Sequence, residues 1–153
     1  MAELVQCYRC HEPQIHLSAT TRHVLDSLRA RYRLALVTDG LGEVQRRKVA
    51  ALGVEQWVEH SEYCWERGCP KPDPGAYRLA LAHLGIEPQD AVIVGDNPYH
   101  DMVAGRMLGI VTVRIVTGRF RHLQPPQCPQ ADYQLSELAE LPALLWRIRD
   151  HVL

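Results

Sequence analysis

The stretch Leu34-Ala-Leu-Val-Thr-Asp-Gly-Leu-Gly-Glu-Val-Gln-Arg-Arg-Lys-Val-Ala-Ala-Leu-Gly53 decides the fold class. Leu34 to Thr38 is a continuous apolar run that closes on a hydroxyl, the pattern of a parallel strand buried on both faces. Gly42 to Leu52 then reads as a helix, with Val44, the stem of Lys48, Ala51 and Leu52 facing inward and Gly53 supplying a left-handed stop. A strand that passes into a helix through a small polar turn is half of a βα unit. Working outward, the same alternation recurs. Thr20 or Thr21 caps a helix reaching about Arg29, with Val24, Leu25 and Leu28 on one face. A short strand is predicted around Trp57 to Glu59, and a helix opening near Pro74 carries Ala76, Leu79, Ala80 and Leu84 until Gly85. Ala91 to Val94 and Val111 to Ile115 read as strands, with a short helix from Asp101 to Leu108 between them. After a proline-rich loop at Gln124 to Pro129, Ser136 caps a last helix that repeats Leu138, Leu141, Leu145, Ile148 and Val152. Strands alternating with helices at these intervals predict an α/β fold, Rossmann-like and three-layered, on a mostly parallel sheet.

Composition narrows the function. The 153 residues, 46% hydrophobic, suit one domain and not two. A net charge of -1, from 17 basic and 18 acidic residues, supplies no basic field for nucleic acid. The longest apolar stretches fall far short of the roughly 20 residues that a membrane-spanning helix requires, so no membrane partner is expected. Met1 to Cys7 has neither a positive start nor an apolar core, so a cytoplasmic location is expected. Five cysteines then read as reduced thiols, although Cys7-Tyr-Arg-Cys10-His11 matches the spacing of haem attachment, and Cys7, Cys10, Cys64 and Cys69 together would give a loose four-thiolate zinc set. Trp57, Trp65 and Trp146 are expected to pack, with Trp65 near the mouth of a site.

Ligands of open α/β sheets sit beyond the carboxyl ends of the strands. Two strands end there in polar clusters. Val37-Thr38-Asp39-Gly40 joins a hydroxyl to backbone amides at a strand-to-helix turn, an anion-binding arrangement. Val94-Gly-Asp-Asn-Pro-Tyr-His-Asp101 sets two carboxylates, Asp96 and Asp101, on one loop, donors suited to magnesium that keeps several waters. Between them, Cys69-Pro-Lys-Pro-Asp-Pro74 fixes Lys71 between prolines. An anion nest, a fixed cation and a carboxylate pair are parts of a phosphoryl-transfer site.

These pieces, in this order, resemble the haloacid dehalogenase (HAD) superfamily, in its phosphatase-like branch with a helical cap. Leu34 to Gly40 is similar to the second family motif, Lys71 in Lys-Pro-Asp-Pro to the third, and Val94 to Asp101 to the fourth. The resemblance spans about residues 15 to 135. It implies that Thr38 and the amides of Asp39 and Gly40 bind phosphoryl oxygens, that Lys71 neutralises charge on nucleophile and phosphate, and that Asp96 and Asp101 hold magnesium. It also implies a first motif, Asp-x-Asp, whose leading aspartate is the nucleophile. The aspartates stand at 26, 39, 73, 90, 96, 101, 132 and 150, and no two are two apart.

Residues 1–17 accordingly read as a remnant of cap and linker, ahead of a HAD-like core over residues 18–153. The family's first strand belongs between the strands ending at Thr38 and Asp96, so that strand is expected to be missing or replaced. Glu3 to Tyr8, or the same segment of a second copy, is the expected substitute, since a buried gap of unpaired backbone is costly. Two function classes follow. One is a magnesium-dependent phosphatase of small phosphomonoesters that lacks its own nucleophile, is inactive alone and is completed by a partner chain, a homodimer or a longer product. The other is a non-catalytic module that binds phosphate, metal or a protein partner.

Overall fold

The computed structural model describes residues 11–150. Helix α1 (Ala19–Arg29) is capped by Ser18, whose hydroxyl accepts the Thr21 amide, so the cap lies two residues ahead of the predicted threonines. Strand β1 (Ala35–Thr38) and helix α2 (Gly42–Leu52) fall where the sequence puts them, but α2 buries Val44 and Val49 and leaves Ala51 exposed. Strand β2 is His60–Tyr63, not Trp57 to Glu59, because the chain is still in a 3₁₀ turn at Val54–Gln56. Helix α3 (Gly75–Leu84) buries Tyr77 in addition to Ala76, Ala80 and Leu84, whereas Leu79 is exposed. After β3 (Val92–Gly95), the predicted single helix is a π-helical turn, Pro98–Met102, running into α4 (Val103–Leu108). Strand β4 (Val111–Ile115) is followed by β5 (Tyr133–Leu135), which the sequence reading missed. A 3₁₀ turn closed by a reciprocal Glu137–Glu140 capping box, not Ser136, leads into α5 (Leu141–Asp150). The chain is thus α/β with parallel strands, as predicted.

Helices cover both faces of the sheet. Val24 and Leu28 of α1, with Leu141 and Leu144 of α5, bury Val113, Ile115 and Leu135 on one side. Tyr77 of α3, Ala104 of α4 and Ile110 pack on Ile93 from the other. Trp57 is buried, its indole N–H donating to Asp26 Oδ1 at 2.7 Å. Trp65 and Trp146 are about half exposed and do not join the core.

The sheet is in two parts. β1 pairs with β2, from Ala35 opposite His60 to Thr38 opposite Tyr63. β3 pairs with β4, and β4 with β5, all parallel. Among the described residues no strand joins the two parts. Alternate residues of a parallel strand address opposite neighbours. The carbonyls of Leu34 and Thr38 accept the amides of Glu59 and Cys64 on the β2 side. Ala35 and Val37 therefore face the other way. Lys71 Nζ sits on that edge, donating to Val37 O at 2.9 Å, and reaches past the end of β3 to Asp101 Oδ1 at 2.7 Å. Val37 and Ile93 also pack on the same α3 cluster. The open edges of β1 and β3 thus face each other across a slot, at the place of the expected missing strand. Glu3 to Tyr8, the expected substitute, lies outside the described residues, as do Cys7 and Cys10.

Candidate active site

The carboxyl end of this slot gathers the residues singled out in the sequence. Lys71, 11% exposed in its side chain, is an ion-pair partner of Asp101, which is 8% exposed. The same Asp101 Oδ1 accepts the Tyr77 hydroxyl at 2.6 Å, and the ammonium lies 5.2 Å from the Tyr77 ring centre. Burial, then the charge and hydrogen bond of Asp101, push the Tyr77 phenol far up, so it stays protonated as a donor. Tyr77 is the residue the sequence reading missed. It lies three residues after Pro74 on the buried face of α3, and its only sequence signal was that helical phase.

Gly95 makes this packing feasible. A Cβ there would stand 2.3 Å from Asp101 Oδ2. The close approach of strand end to carboxylate is what the Gly-Asp pair at 95 and 96 permits.

Two loops meet below the lysine. Asp39 Oδ1 accepts the Lys71 amide at 3.0 Å, so the Asp39 carboxylate ties the turn after β1 to the lysine loop. The Asp39 side chain is thus engaged by the lysine loop, while the Asp39 and Gly40 amides have no acceptor among the described residues. Gly40 takes a φ of 119°, a backbone that side chains rarely adopt. The Thr38 hydroxyl donates to Gln45 Oε1 at 3.0 Å, which commits its single proton to that side chain. Cys64, fully buried beside this cluster, is a free thiol that burial pushes up to about 11, which keeps it protonated and unreactive near neutrality. Cys69 and Cys128 are likewise free and buried.

The carboxylate pair divides. Asp101 is committed to Lys71 and Tyr77. Asp96 makes no side-chain hydrogen bond or ion pair among the described residues, and its Oδ2 faces Gly118. Among those residues no cluster of three or more histidine, cysteine or carboxylate side chains converges as a metal cage, and Cys64 and Cys69 build no thiolate set. One unengaged carboxylate nonetheless fits magnesium, which commonly takes one or two carboxylates and completes its shell with water and phosphate oxygens.

Comparison with known proteins gives the family. The model for haloacid dehalogenase-like hydrolases matches residues 3–109, and the chain belongs to that family. Its relatives include phosphatases. Pyrophosphatase PpaX from Bacillus velezensis is 31% identical over 145 residues, covering 91% of this chain and 66% of the relative. Phosphoserine phosphatase from Thermus thermophilus is 34% identical over 108 residues, covering 71% of this chain and 42% of the relative. The crystal structure of a HAD phosphatase from Thermococcus onnurineus superposes with a TM-score of 0.73 at 28% identity, over 84% of this chain and 58% of that one. The chain thus spans between 42% and 66% of the length of these three relatives. No helix among the described residues is long and apolar enough to cross a membrane.

Proposed function

We propose that this chain is the phosphate-binding and charge-stabilising part of a HAD phosphatase acting on small phosphomonoesters. In this reading the aspartate nucleophile arrives on a strand, from outside the 153 residues, that enters the slot between β1 and β3. The observation that carries it is Lys71 Nζ, half-buried on the open edge of β1 and bonded across the slot's end to Asp101.

The residues divide the work as follows. The amides of Asp39 and Gly40, with the Thr38 hydroxyl turned from Gln45, donate to the phosphoryl oxygens. Lys71 offsets the charge of phosphate and incoming carboxylate, which would otherwise repel each other in a site of low dielectric. Asp101 and Tyr77 hold the ammonium at that point and prevent its withdrawal to water. A carboxylate from the entering strand would attack phosphorus as the ester P–O bond breaks, the leaving oxygen departing as the alcohol with a proton from a general acid on that same strand, and water would then hydrolyse the acyl phosphate. Asp96 is the residue that would hold magnesium, which when bound supplies further positive charge to the phosphoryl oxygens.

The test pairs two measurements on the purified chain. Inorganic phosphate is expected to bind, with affinity falling at least ~10-fold, about 1.4 kcal/mol, in Lys71→Ala. A chromogenic phosphomonoester with magnesium is expected to show no turnover. Turnover that vanishes in both Lys71→Ala and Asp96→Ala would overturn the reading by showing that the chain holds its own nucleophile.

A further inference from the structure

The turn after β4 stands beside Asp96 and is held by an unusual device. Arg114, 1% exposed, points its guanidinium under residues 118–128. One terminal nitrogen donates to Leu123 O at 2.9 Å and lies 3.5 Å from the Cys128 Sγ, and the other donates to Phe120 O at 2.7 Å. No carboxylate pairs with it among the described residues, and its Nε–H has no partner. Burying a cation against neutral acceptors is costly. What it achieves is a fixed loop. Tyr99, three residues after Asp96, fastens the same loop from its other side by donating to Gln127 O.

The fixed loop carries cations to the site. From Thr117 to Ala131 the chain has Arg119, Arg121 and His122 and no carboxylate. All three are exposed; neither arginine forms an ion pair among the described residues, and Arg121 Nε donates to His122 Nε2 at 3.1 Å, so the two arginines are the cations of this turn. Arg119 rests over the Phe120 ring at 5.6 Å, which limits its swing. Gly118 faces the Asp96 carboxylate: a Cβ added there would lie 3.4 Å from Oδ2. A cationic turn that carries no carboxylate, beside Asp96, is complementary to more negative charge than one phosphoryl group brings.

We propose that the turn from Gly118 to His122 is a second anion subsite, in which Arg119 and Arg121 bind an acidic group of the substrate beyond the phosphoryl group to be transferred, with Arg114 as the positioning residue beneath. This rests on the phosphate site assigned above. It narrows the substrate to phosphomonoesters or anhydrides with a further phosphate or carboxylate close by.

The test is calorimetry on the full chain in metal-free buffer, with inorganic phosphate, pyrophosphate and phosphoglycolate as probes. At least one of the two longer anions is expected to bind ~10-fold or more tightly than phosphate, and whichever does identifies the second group as phosphate or carboxylate. In the double variant Arg119→Gln, Arg121→Gln that preference is expected to fall to near unity. A preference unchanged in the double variant, or no preference in the unaltered chain, would overturn the subsite. Failure of inorganic phosphate to bind in a Lys71-dependent way would instead overturn the underlying phosphate site. Arg114→Met is expected to lower the preference with Arg119 and Arg121 intact. Should Arg114→Met fail to fold, the double variant on the surface still decides.

Discussion

Strand β4 on the one hand and strands β1 and β3 on the other each pair in parallel, yet they differ in an instructive way. In β4, Thr112, Val113, Arg114 and Ile115 are all buried, although two of the four are polar. In β1, Ala-Leu-Val-Thr, no residue is buried, and in β3, Val-Ile-Val-Gly, Val94 is 38% exposed. The more apolar strands are the less covered. The difference is in partners: β4 is paired on both edges, whereas among the described residues β1 and β3 each have one. An apolar run encodes burial between two neighbours, and for β1 and β3 the described residues supply only one. The slot is therefore written into the amino-acid sequence as well as into the topology.

Mutations can sharpen this contrast. The largest effect is expected at the slot's end. Lys71→Ala leaves the buried Asp101 carboxylate with Tyr77 as its remaining partner, at a cost of about 3 kcal/mol in denaturant unfolding. A loss within ~0.5 kcal/mol would mean that water reaches Asp101 and that the pair is not enclosed. Next, Val113→Ala in β4 is expected to cost about 2 kcal/mol through the cavity it leaves. Val94→Ala in β3 is expected to stay within ~0.5 kcal/mol, as for other exposed positions. Equal costs would erase the distinction between the two regions.

A smaller effect concerns pH. Burial works to raise the Glu62 carboxyl, but hydrogen bonds from Arg67 and His60 outweigh it and hold it below the usual range. A carboxyl lowered in the folded state stabilises above its ordinary value, and that contribution is lost as pH falls through the folded value. Stability is thus expected to decline below about pH 4.5, with the decline reduced in Glu62→Gln. An identical acid profile in Glu62→Gln would assign the decline to other groups, such as Asp132, which Thr112 holds low against burial.

Much of this was legible in the sequence. The run Leu34 to Thr38, the helix Gly42 to Leu52 and the strand Val111 to Ile115 follow from local pattern, because hydrophobic period and a glycine stop are local signals. The ordered polar clusters led to Thr38, Asp39, Gly40, Lys71, Asp96 and Asp101, and the structure brings them to one edge. Their division of labour was not legible. That Asp101 grips Lys71 while Asp96 stays unengaged depends on a buried tyrosine from α3 and on the close approach permitted by Gly95, both long-range contacts. Strand β5 escaped because three residues with two exposed side chains give no periodic signal. β2 was misplaced because Trp57 to Glu59 looked like a strand, when Trp57 in fact packs at the end of a 3₁₀ turn.

The most direct test of the account is hydrogen exchange on the isolated chain, comparing the amides of Ala35 and Val37 with those of Val113 and Ile115. The account expects Ala35 and Val37, on the open edge of β1, to exchange within about tenfold of an unprotected amide, while the β4 amides exchange only with larger opening of the core. Protection of Ala35 and Val37 equal to that of β4 would contradict it. Such protection would mean that the slot is filled without the entering strand, by the substitute expected from the sequence, Glu3 to Tyr8 of this chain or of a second copy.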